Sequence, residues 1–401
     1  MNTKQTEIGE IPKDWEVVKL GEIAEIDSEN LPSDTPPNYE FDYISLEMVD
    51  NGTLLGTQSI CFRSAPSRAR RVLRENDVLL STVRPNLKSH YLVEHEANNL
   101  ICSTGFSVIR VRHGISNPGY LFQHLFADIL NNQIELLVSG SNYPAINSKD
   151  VKNLAIPLPP ILEQAAIATI LSDTDRLLAA LRALIGKKRA IKTAAMQQLL
   201  SGRLRLPGFA SNDRMKNSEL GEIPEDWEMV KLGKVLKIRH GKNQKEVASE
   251  QGEYPILATG GQIGWATDFL YDKPSVLIGR KGTIDKPKYQ DAPFWTVDTL
   301  FFSEIFENCD PKFIFYKFCM VDWLKNNEAS GVPSQTAKRI ESLKIALPQS
   351  KPEQTAIAQT LSDMDSEIAA LEARAAKLAQ IKQGLMQNLL TGKIRVNAGA
   401  A

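Results

Sequence analysis

Hydrophobic residues recur in alternating steps of four and three positions along two long stretches of the chain. In the register that starts at Ile357, nine of ten positions are apolar, and in the register that starts at Ile167, seven of ten are apolar. This spacing places the apolar side chains on one face of an α-helix, as in the seam of a coiled coil. Each stretch ends at a glycine, Gly202 or Gly392, a common residue just after a helix. The pattern predicts two long helices, each with one apolar seam.

A single apolar seam needs a partner. The favoured interpretation is that the two helices pair with each other, antiparallel, within one chain. Packing of each helix onto its own domain, or homodimerisation through the seams, is the alternative that the pattern leaves open. The large seam residues are Ile167, Leu171, Leu178, Leu181, Ile185, Leu199, Ile357, Leu361, Met364, Ile368, Leu371, Leu378, Leu385 and Leu389.

The segments between the predicted helices contain short runs of β-branched and aromatic residues, bounded by Gly, Pro and Asn. Such runs predict strands at residues 78–83, 105–111, 275–280 and 299–305. Runs with helical apolar spacing predict helices at residues 119–137 and 311–327. Both segments are therefore predicted to be α/β (α+β).

The chain contains an internal duplication. "GEIPKDWEVVKLG" at residues 9–21 and "GEIPEDWEMVKLG" at residues 221–233 are identical at eleven of thirteen positions. Three further pairs follow in the same order: "PAINSKDVKNLAIPLP" (144–159) with "PSQTAKRIESLKIALP" (333–348), "EQAAIATILSDTD" (163–175) with "EQTAIAQTLSDMD" (353–365), and "MQQLLSGRLRL" (196–206) with "MQNLLTGKIRV" (386–396). Between these pairs the two copies share almost no identity, so the repeated motifs form a common frame around two different variable segments.

The duplication predicts two α/β domains joined by two long antiparallel coiled-coil helices, related by a pseudo-twofold axis. The predicted boundaries are residues 1–158 for the first variable domain, 159–202 for the first helix, 203–218 for a linker, 219–350 for the second variable domain and 351–396 for the second helix.

Composition narrows the class of protein. The chain of 401 residues carries a net charge of −1, so the total charge does not single out a nucleic-acid binder. Its distribution is uneven: residues 1–50 carry 3 Lys/Arg and 13 Asp/Glu, whereas residues 51–155 carry 11 and 7. The sequence has no apolar run of membrane-spanning length, its N-terminus does not resemble a signal peptide, and its four cysteines lack metal-site spacing. These features predict a cytoplasmic protein with reduced thiols.

No catalytic motif stands out. The sequence lacks a GxxxxGK[ST] phosphate loop and a well-placed GxGxxG, and its five histidines form no HxxxH or HExxH pair. The expectation is therefore no catalytic residue and no metal site in this chain. Trp15 and Trp227, in the repeated phrase, are expected to anchor a core or an interface.

Three basic clusters are candidate DNA contacts, because Arg recognises phosphate and guanine through its planar fork. They lie at residues 63–74, 234–245 and 280–288, and a solvated surface is the alternative for each. Two loops rich in small polar residues, 139–147 and 329–337, lie at equivalent places, and Arg84 and Arg280 follow equivalent predicted strands. The candidates are Arg63, Arg68, Arg70, Arg71, Arg84, Lys88, Asn142, Tyr143, Arg239, Lys242, Arg280, Lys281, Ser334 and Gln335.

The order of these motifs resembles the specificity (S) subunits of Type I restriction–modification enzymes. The resemblance rests on the GEIP-x-DWE start, the variable domain, and the helix that begins EQ-x-x-IA-x-x-L behind "PLP" or "ALP", all of it occurring twice. It covers essentially the whole chain.

The resemblance implies a division of labour. Each variable domain would be a target recognition domain that reads one half of a bipartite double-stranded DNA sequence. The helices would set the spacing and dock two modification (M) subunits, which bind S-adenosylmethionine and methylate adenine N6. Restriction (R) subunits would add ATP- and Mg-dependent translocation and cleavage, and this chain would bind no cofactor. A coiled-coil adaptor without DNA readout, or an enzyme with its own methyltransferase or nuclease, are the alternatives.

Overall fold

The computed structural model describes residues 2–95, 98–138, 144–210, 214–327 and 331–396. The chain forms two compact units. Unit 1 comprises Met1–Arg182 together with Arg374–Ala401, and unit 2 comprises Ala183–Ala373. Each unit therefore holds one variable domain and parts of both long helices.

Unit 1 is built on two four-stranded sheets. One has the order β11-β10-β13-β4 and is antiparallel, and the other has the order β8-β5-β12-β9, in which β5 and β12 are parallel. Short two-stranded pairs β1-β2, β3-β14 and β6-β7 surround them. The strands of unit 1 are β1 (Thr3–Thr6), β2 (Gly9–Pro12), β3 (Glu16–Lys19), β4 (Ala24–Ile26), β5 (Glu40–Ile44), β6 (Val49–Asp50), β7 (Thr53–Leu54), β8 (Gln58–Cys61), β9 (Ala69–Val72), β10 (Val78–Ser81), β11 (Tyr91–Leu92), β12 (Leu100–Ser103), β13 (Phe106–Val111) and β14 (Ala155–Leu158).

The antiparallel sheet of unit 1 is buried on both faces. Val78 and Leu80 of β10 pack on the face toward the helices, whereas Leu79, between them, packs toward the second sheet. Because successive side chains of a strand point to opposite faces, a strand buried on both sides is a continuous apolar run. The helices that begin in unit 1 are α1 (Leu20–Ile23), α2 (Pro118–His124), α3 (Asp128–Leu137), α4 (Ser148–Asn153) and α5 (Ile161–Ser201).

Unit 2 repeats this plan although its middle shares almost no sequence with that of unit 1. Its main sheet has the order β22-β21-β24-β18, strand for strand the order of the sheet in unit 1, and its second sheet has the order β20-β19-β23. Among the described residues, unit 2 has no counterpart of β9. Its elements are β15 (Met215–Ser218), β16 (Gly221–Pro224), β17 (Trp227–Lys231), β18 (Leu236–His240), β19 (Tyr254–Ala258), β20 (Gly261–Ala266), β21 (Ser275–Gly279), β22 (Lys288–Gln290), β23 (Trp295–Thr296), β24 (Leu300–Ile305), α6 (Pro311–Cys319), α7 (Ala337–Ser342), β25 (Lys344–Pro348) and α8 (Lys351–Leu389).

The predicted strands agree with β10, β13, β21 and β24, but two of the predicted helices are interrupted. The helix expected over 119–137 breaks after His124, where the Leu125 amide donates to Phe122 O in a tight turn, and α3 begins at Asp128. The helix expected over 311–327 ends at Cys319. There the Trp323 indole donates to Phe318 O, 2.8 Å away, and so replaces a helical amide. Both are local contacts at a helix end, which apolar spacing alone does not reveal.

The seam residues lie inward on α5 and α8. Ile167, Leu171, Leu178, Leu181, Ile185, Leu199, Ile357, Leu361, Ile368 and Leu389 are buried, and Met364, Leu371, Leu378 and Leu385 are half-buried. The start of each seam packs onto its own domain, because Ile167 belongs to the core of unit 1 and Ile357 to that of unit 2. The alternative interpretation therefore holds for these ends of the helices.

Ion pairs connect the two helices in each unit, and in unit 2 they give the direction of the contact. In unit 2, Lys188 Nζ lies 2.6 Å from the Glu367 carboxylate, and Lys192, one turn further on α5, pairs with Asp365, earlier on α8. Residue numbers thus rise on one helix as they fall on the other. In unit 1, Asp175 and Lys382 pair at 2.6 Å. No helix among the described residues combines the length and hydropathy needed to cross a membrane.

Candidate nucleic-acid interface

The main sheet of unit 2 brings three cationic residues to one edge. β18 and β21 both run antiparallel to β24, so their carboxyl ends lie at the same edge of the sheet, on either side of β24. Just beyond them, the Lys242 amide donates to Thr296 O and the Arg280 amide donates to Thr299 O, each at 2.8 Å. Lys242 and Lys281 are exposed, and Arg280 is half-buried with its guanidinium 3.2 Å from Asp298 O. Three of the sequence candidates of unit 2 therefore converge at the strand ends.

Arg239 lies on β18 itself rather than in the loop beyond it. Its Nε is 2.8 Å from the Glu304 carboxylate on the neighbouring β24, and half of its side chain is exposed. Such an exposed pair is weak, so it leaves the guanidinium available to a competing anion.

The equivalent edge of unit 1 is formed by the ends of β4 and β10. The turn between β12 and β13 joins the candidate Arg68 to the end of β10: the Thr104 amide donates to Arg68 O, and the Thr82 amide donates to Gly105 O, each at 2.8 Å. Arg68 is exposed. Two residues after Thr82, Arg84 follows with its amide bonded to Pro144 O at 2.7 Å.

Arg84 and Lys88 bracket a short 3₁₀ turn, Pro85–Leu87, in an unusual backbone conformation. Both have positive φ, 51° and 53°, which side chains larger than glycine adopt at a cost. The exposed Arg84 and the half-buried Lys88 thus lie at the two ends of one short turn. A strained backbone that positions cations at a sheet edge is typical of a functional site.

Hydrogen bonding fixes the exact positions of Arg84 and Arg280 in the frame that the two units share. Thr82 and Arg280 make the same bond, to the residue before β13 or β24, and the bond of Arg84 to Pro144 O is matched by that of Gly282 to Pro333 O at 2.9 Å. Gly282, with φ of 83°, therefore occupies the place of Arg84. Both arginines follow equivalent strands, but Arg280 lies two residues earlier in the shared frame.

Several other candidates are less suited to direct contact. Gln335 is only 3% exposed, and its Nε2 donates to Gly279 O at 2.8 Å, so it holds the edge together and does not face DNA as expected. Arg71 pairs with Asp27 at 3.1 Å and is mostly buried, which also contradicts its role as a contact.

The remaining candidates lie as follows. Ser334 is half-buried and forms a β-bridge with Lys281. Arg63 is exposed, and the guanidinium of Arg70 lies 4.7 Å from the centre of the Phe62 ring. Asn142 and Tyr143 lie outside the described residues.

A second constellation, absent from the sequence candidates, is built by the repeated motifs. In unit 1, Arg395 donates Nε and Nη2 to Glu163 at 2.7 and 2.8 Å, and Nη1 and Nη2 to Asp14 at 2.9 and 2.8 Å. Its guanidinium also lies 5.5 Å from the Trp15 ring centre. We name Arg395, Glu163 and Asp14 the arginine clasp of unit 1.

Unit 2 contains the same clasp, formed by Arg205, Glu353 and Asp226. The guanidinium of Arg205 donates two hydrogen bonds to Glu353, at 2.6 and 2.9 Å, and two to Asp226, at 2.8 and 3.0 Å. In each clasp the arginine holds the pKa of the exposed aspartate, Asp14 or Asp226, below its usual value through hydrogen bonds. Burial raises the pKa of Glu353, which the Arg205 hydrogen bonds oppose.

In each unit, a glycine of one repeated motif also packs tightly against a proline of another. A Cβ added at Gly392, where φ is 70°, would lie 2.4 Å from Pro12 Cγ, and one at Gly202 would lie 2.5 Å from Pro224. Trp15 and Trp227 are fully buried beside these contacts, in agreement with their expected role as anchors. The signal for the clasps was present in the sequence: "DWE", "EQ" and "GRLR" or "GKIR" are repeated together.

The geometry defines a class of protein: a duplicated chain in which two units with the same sheet order carry different cationic sheet edges. The family profile described as the Type I restriction modification DNA specificity domain matches residues 12–191 and 224–383. The chain belongs to this family, which confirms the resemblance seen in its sequence. Its function is that of a DNA-recognition subunit, and the adaptor without DNA readout is not supported.

Individual relatives span the whole chain. The MjaX type I restriction enzyme specificity subunit of Methanocaldococcus jannaschii, which carries a provisional name, is 30% identical over 98% of this chain and 97% of its own. The HsdS subunit from Thermoanaerobacter tengcongensis is 25% identical, with a TM-score of 0.50 over 96% of this chain and 98% of that one. The S subunit from M. genitalium shares the fold, with a TM-score of 0.65 at 17% identity over 97% and 99%.

Proposed function

We propose that each unit reads one half of an asymmetric, bipartite DNA sequence through the edge of its main sheet. The proposal rests on one observation: the two units share the same sheet order and the same clasp, but the edges of their main sheets present different cationic residues. In unit 2 the edge presents Lys242, Arg280 and Lys281, and in unit 1 it presents Arg68, Arg84 and Lys88. Cations on short loops can contact both phosphates and the base edges of the major groove.

The helices act as the spacer between the readers. Their buried seams and oppositely directed ion pairs support an antiparallel coiled coil that joins the two target recognition domains with pseudo-twofold symmetry. In this proposal the functional division is residues 1–158 and 219–350 for the readers, 159–202 and 351–396 for the helices, and 203–218 for the linker. The exposed faces of the helices dock two M subunits.

The chemistry belongs to the partners. M subunits bind S-adenosylmethionine and methylate adenine N6, and R subunits use ATP and Mg for translocation and cleavage. This chain is the non-catalytic specificity subunit, works in the cytoplasm and binds no cofactor itself. The near-zero net charge is consistent with this arrangement, because the M subunits then supply much of the grip on phosphate.

Single-molecule methylation mapping tests the proposal. DNA from cells that express this chain with its M subunits should carry methyladenine in two unlike words separated by a gap of constant length and variable sequence. Symmetric dimers read palindromes, whereas unlike readers on a pseudo-symmetric frame read unlike words. A map with one continuous palindrome contradicts the proposal. Labelled S-adenosylmethionine bound by the isolated chain would instead favour a self-contained methyltransferase.

A further inference from the structure

The two arginine clasps connect the variable domains, proposed to read DNA, to the long helices, proposed to set the spacing between the two DNA words. In unit 1, Asp14 precedes β3 of the reading domain, Glu163 lies in the first turn of α5, and Arg395 follows the end of α8. One guanidinium therefore joins three elements that are far apart in sequence. Unit 2 joins the same three elements through Asp226, Glu353 and Arg205.

The hydrogen bonds of the clasp fix the orientation of the Arg395 guanidinium. Glu163 is 5% exposed, and both of its oxygens accept from the guanidinium while Oε2 also accepts from the Trp15 indole at 3.3 Å. The Val396 amide adds a further bond to Glu163, at 3.3 Å. A planar guanidinium that forks onto two carboxylates is fixed in rotation as well as in distance, which a single ammonium is not.

We propose that Arg395 and Arg205 are positioning residues that fix each reader on the helices and thereby set how strictly the gap between the two DNA words is enforced. This inference rests on the proposed function. It assigns to the most strongly repeated residues of the chain a role in gap selectivity, and it leaves the choice of words to the sheet edges.

The geometry of DNA shows why orientation matters. Adding one base pair to the gap moves a half-site by about 3.4 Å along the duplex and rotates it by about 35°. A reader held rigidly at its base does not follow this movement and loses its contacts. A reader whose clasp is loosened can pivot, and so accepts gaps that the intact protein rejects.

The test measures gap selectivity in the complete complex with M subunits. The wild-type methylation map supplies the two words and the natural gap. A plasmid library then offers these words with gaps from two base pairs shorter to two base pairs longer, and methylation of each is measured. If the wild-type map shows no bipartite site, the proposed function has failed before the clasp is tested.

Four clasp variants and one control are compared. Arg395→Lys and Arg205→Lys keep the charge but lose the fork. Asp14→Asn and Asp226→Asn are milder, because they leave the buried arginine–glutamate pair in place. Arg189→Lys is the control, since Arg189 pairs with Glu372 between the helices at 2.6 Å on an exposed surface outside the clasp.

We expect the lysine variants to methylate the natural site at a similar rate and to lose about tenfold in discrimination against gaps one base pair longer or shorter. The asparagine variants should show a smaller loss, and the control none. A merely structural role would lower thermal stability without changing gap selectivity. Unchanged selectivity in folded lysine variants, altered words, or equal loosening by Arg189→Lys would each overturn the proposal. If a lysine variant does not fold, its asparagine counterpart decides by the same criteria.

Discussion

At the scale of single residues, Arg84 and Arg280 occupy different places in a shared frame. Arg84 lies in a left-handed conformation where unit 2 has Gly282, and Arg280 lies where unit 1 has Thr82. The sequence located both residues after the right strands, but only the hydrogen-bond register separates their positions. Sequence also could not show that Arg71 and Gln335 are buried, because their burial depends on partners 44 and 56 residues away, Asp27 and Gly279.

Replacing either arginine tests its contact with DNA. Arg84→Gly is the suitable change, because glycine keeps the positive φ without strain, and Arg280→Ala is its counterpart in unit 2. Loss of a bidentate base contact should weaken binding by about 1–3 kcal/mol and relax one position of the corresponding word. Loss of a phosphate contact should weaken all sequences alike and lower the salt slope by about one.

Equilibrium binding at several salt concentrations measures both effects. Arg112→Ala is the control, since Arg112 is exposed, donates to Glu22 O at 2.9 Å and lies outside the three basic clusters. Affinities that match the wild-type complex for both variants at moderate salt reject the assignment.

Lys317 is a buried cation whose role sequence alone did not suggest. Its Nζ donates to Leu200 O, 2.5 Å away in the last turn of α5, and lies 5.5 Å from the ring centres of Trp227 and Phe313. It therefore satisfies a carbonyl that the helix end leaves without a partner. Burial lowers the pKa of Lys317 to about 7. Position for position along α2 and α6, unit 1 has His124 here, and burial lowers its pKa to about 3.

The lowered pKa predicts how stability should change with pH. Between pH 7 and 10 the unfolded chain keeps a proton on Lys317 that the folded chain has lost, so the free energy of unfolding should rise with pH. Relative to Lys317→Met, the wild type should gain about 2.7 kcal/mol between pH 6 and 9, which is about 1.36 kcal/mol for each pH unit above 7. Urea unfolding of both proteins at the two pH values measures this difference, in which the other groups cancel. Parallel pH curves would show that Lys317 stays charged when folded.

At the scale of elements, the predictions succeeded where the residues forming a contact repeat along one element. The two long helices α5 and α8 and the strands β10, β13, β21 and β24 are visible in the spacing of apolar residues. The ends of α2 and α6 were missed, because local turn contacts decide them and apolar spacing does not register such contacts. The clasps were missed for a different reason: Arg395 and Glu163 are 232 residues apart.

Removing one member of the clasp should lower the free energy of unfolding more than replacing both members of its buried ion pair. Arg395→Ala leaves the buried Glu163 carboxylate without its cation, which should destabilise unit 1 by about 3–5 kcal/mol. The double variant Arg395→Met with Glu163→Leu replaces the pair by apolar groups and should lose less than the single change. The exposed pair of Arg189 and Glu372 is the comparison, and Arg189→Ala should cost below about 1 kcal/mol.

Denaturant unfolding of the four proteins, including the wild type, provides these values. Equal losses for Arg395→Ala and Arg189→Ala would mean that the clasp contributes no more than a surface ion pair. A double variant less stable than the single one would mean that the pair contributes more than its apolar replacement.

At the scale of the whole molecule, duplication made the architecture predictable and the readers unpredictable. The frame could be identified because its motifs recur with little change. The middles retain the same sheet order without recognisable identity, since a buried strand requires apolar character rather than a particular residue. The words that the readers recognise depend on side-chain geometry and DNA deformation, which neither copy reveals in its sequence.

The role of the helices as a spacer leads to a prediction for the complete protein. One heptad inserted in α5 after Leu181 and one in α8 after Leu371 preserves both apolar seams, and both points lie beside the residues where the helices pass between units. The insertion lengthens each helix by about 10 Å at a rise of 1.5 Å per residue. Since base pairs stack at about 3.4 Å, we expect the same two words with a gap longer by about one to three base pairs. The methylation map of the variant measures both quantities. An unchanged gap at full activity would show that the helices are not the spacer, and altered words would show that the readers depend on the helices for their choice of bases.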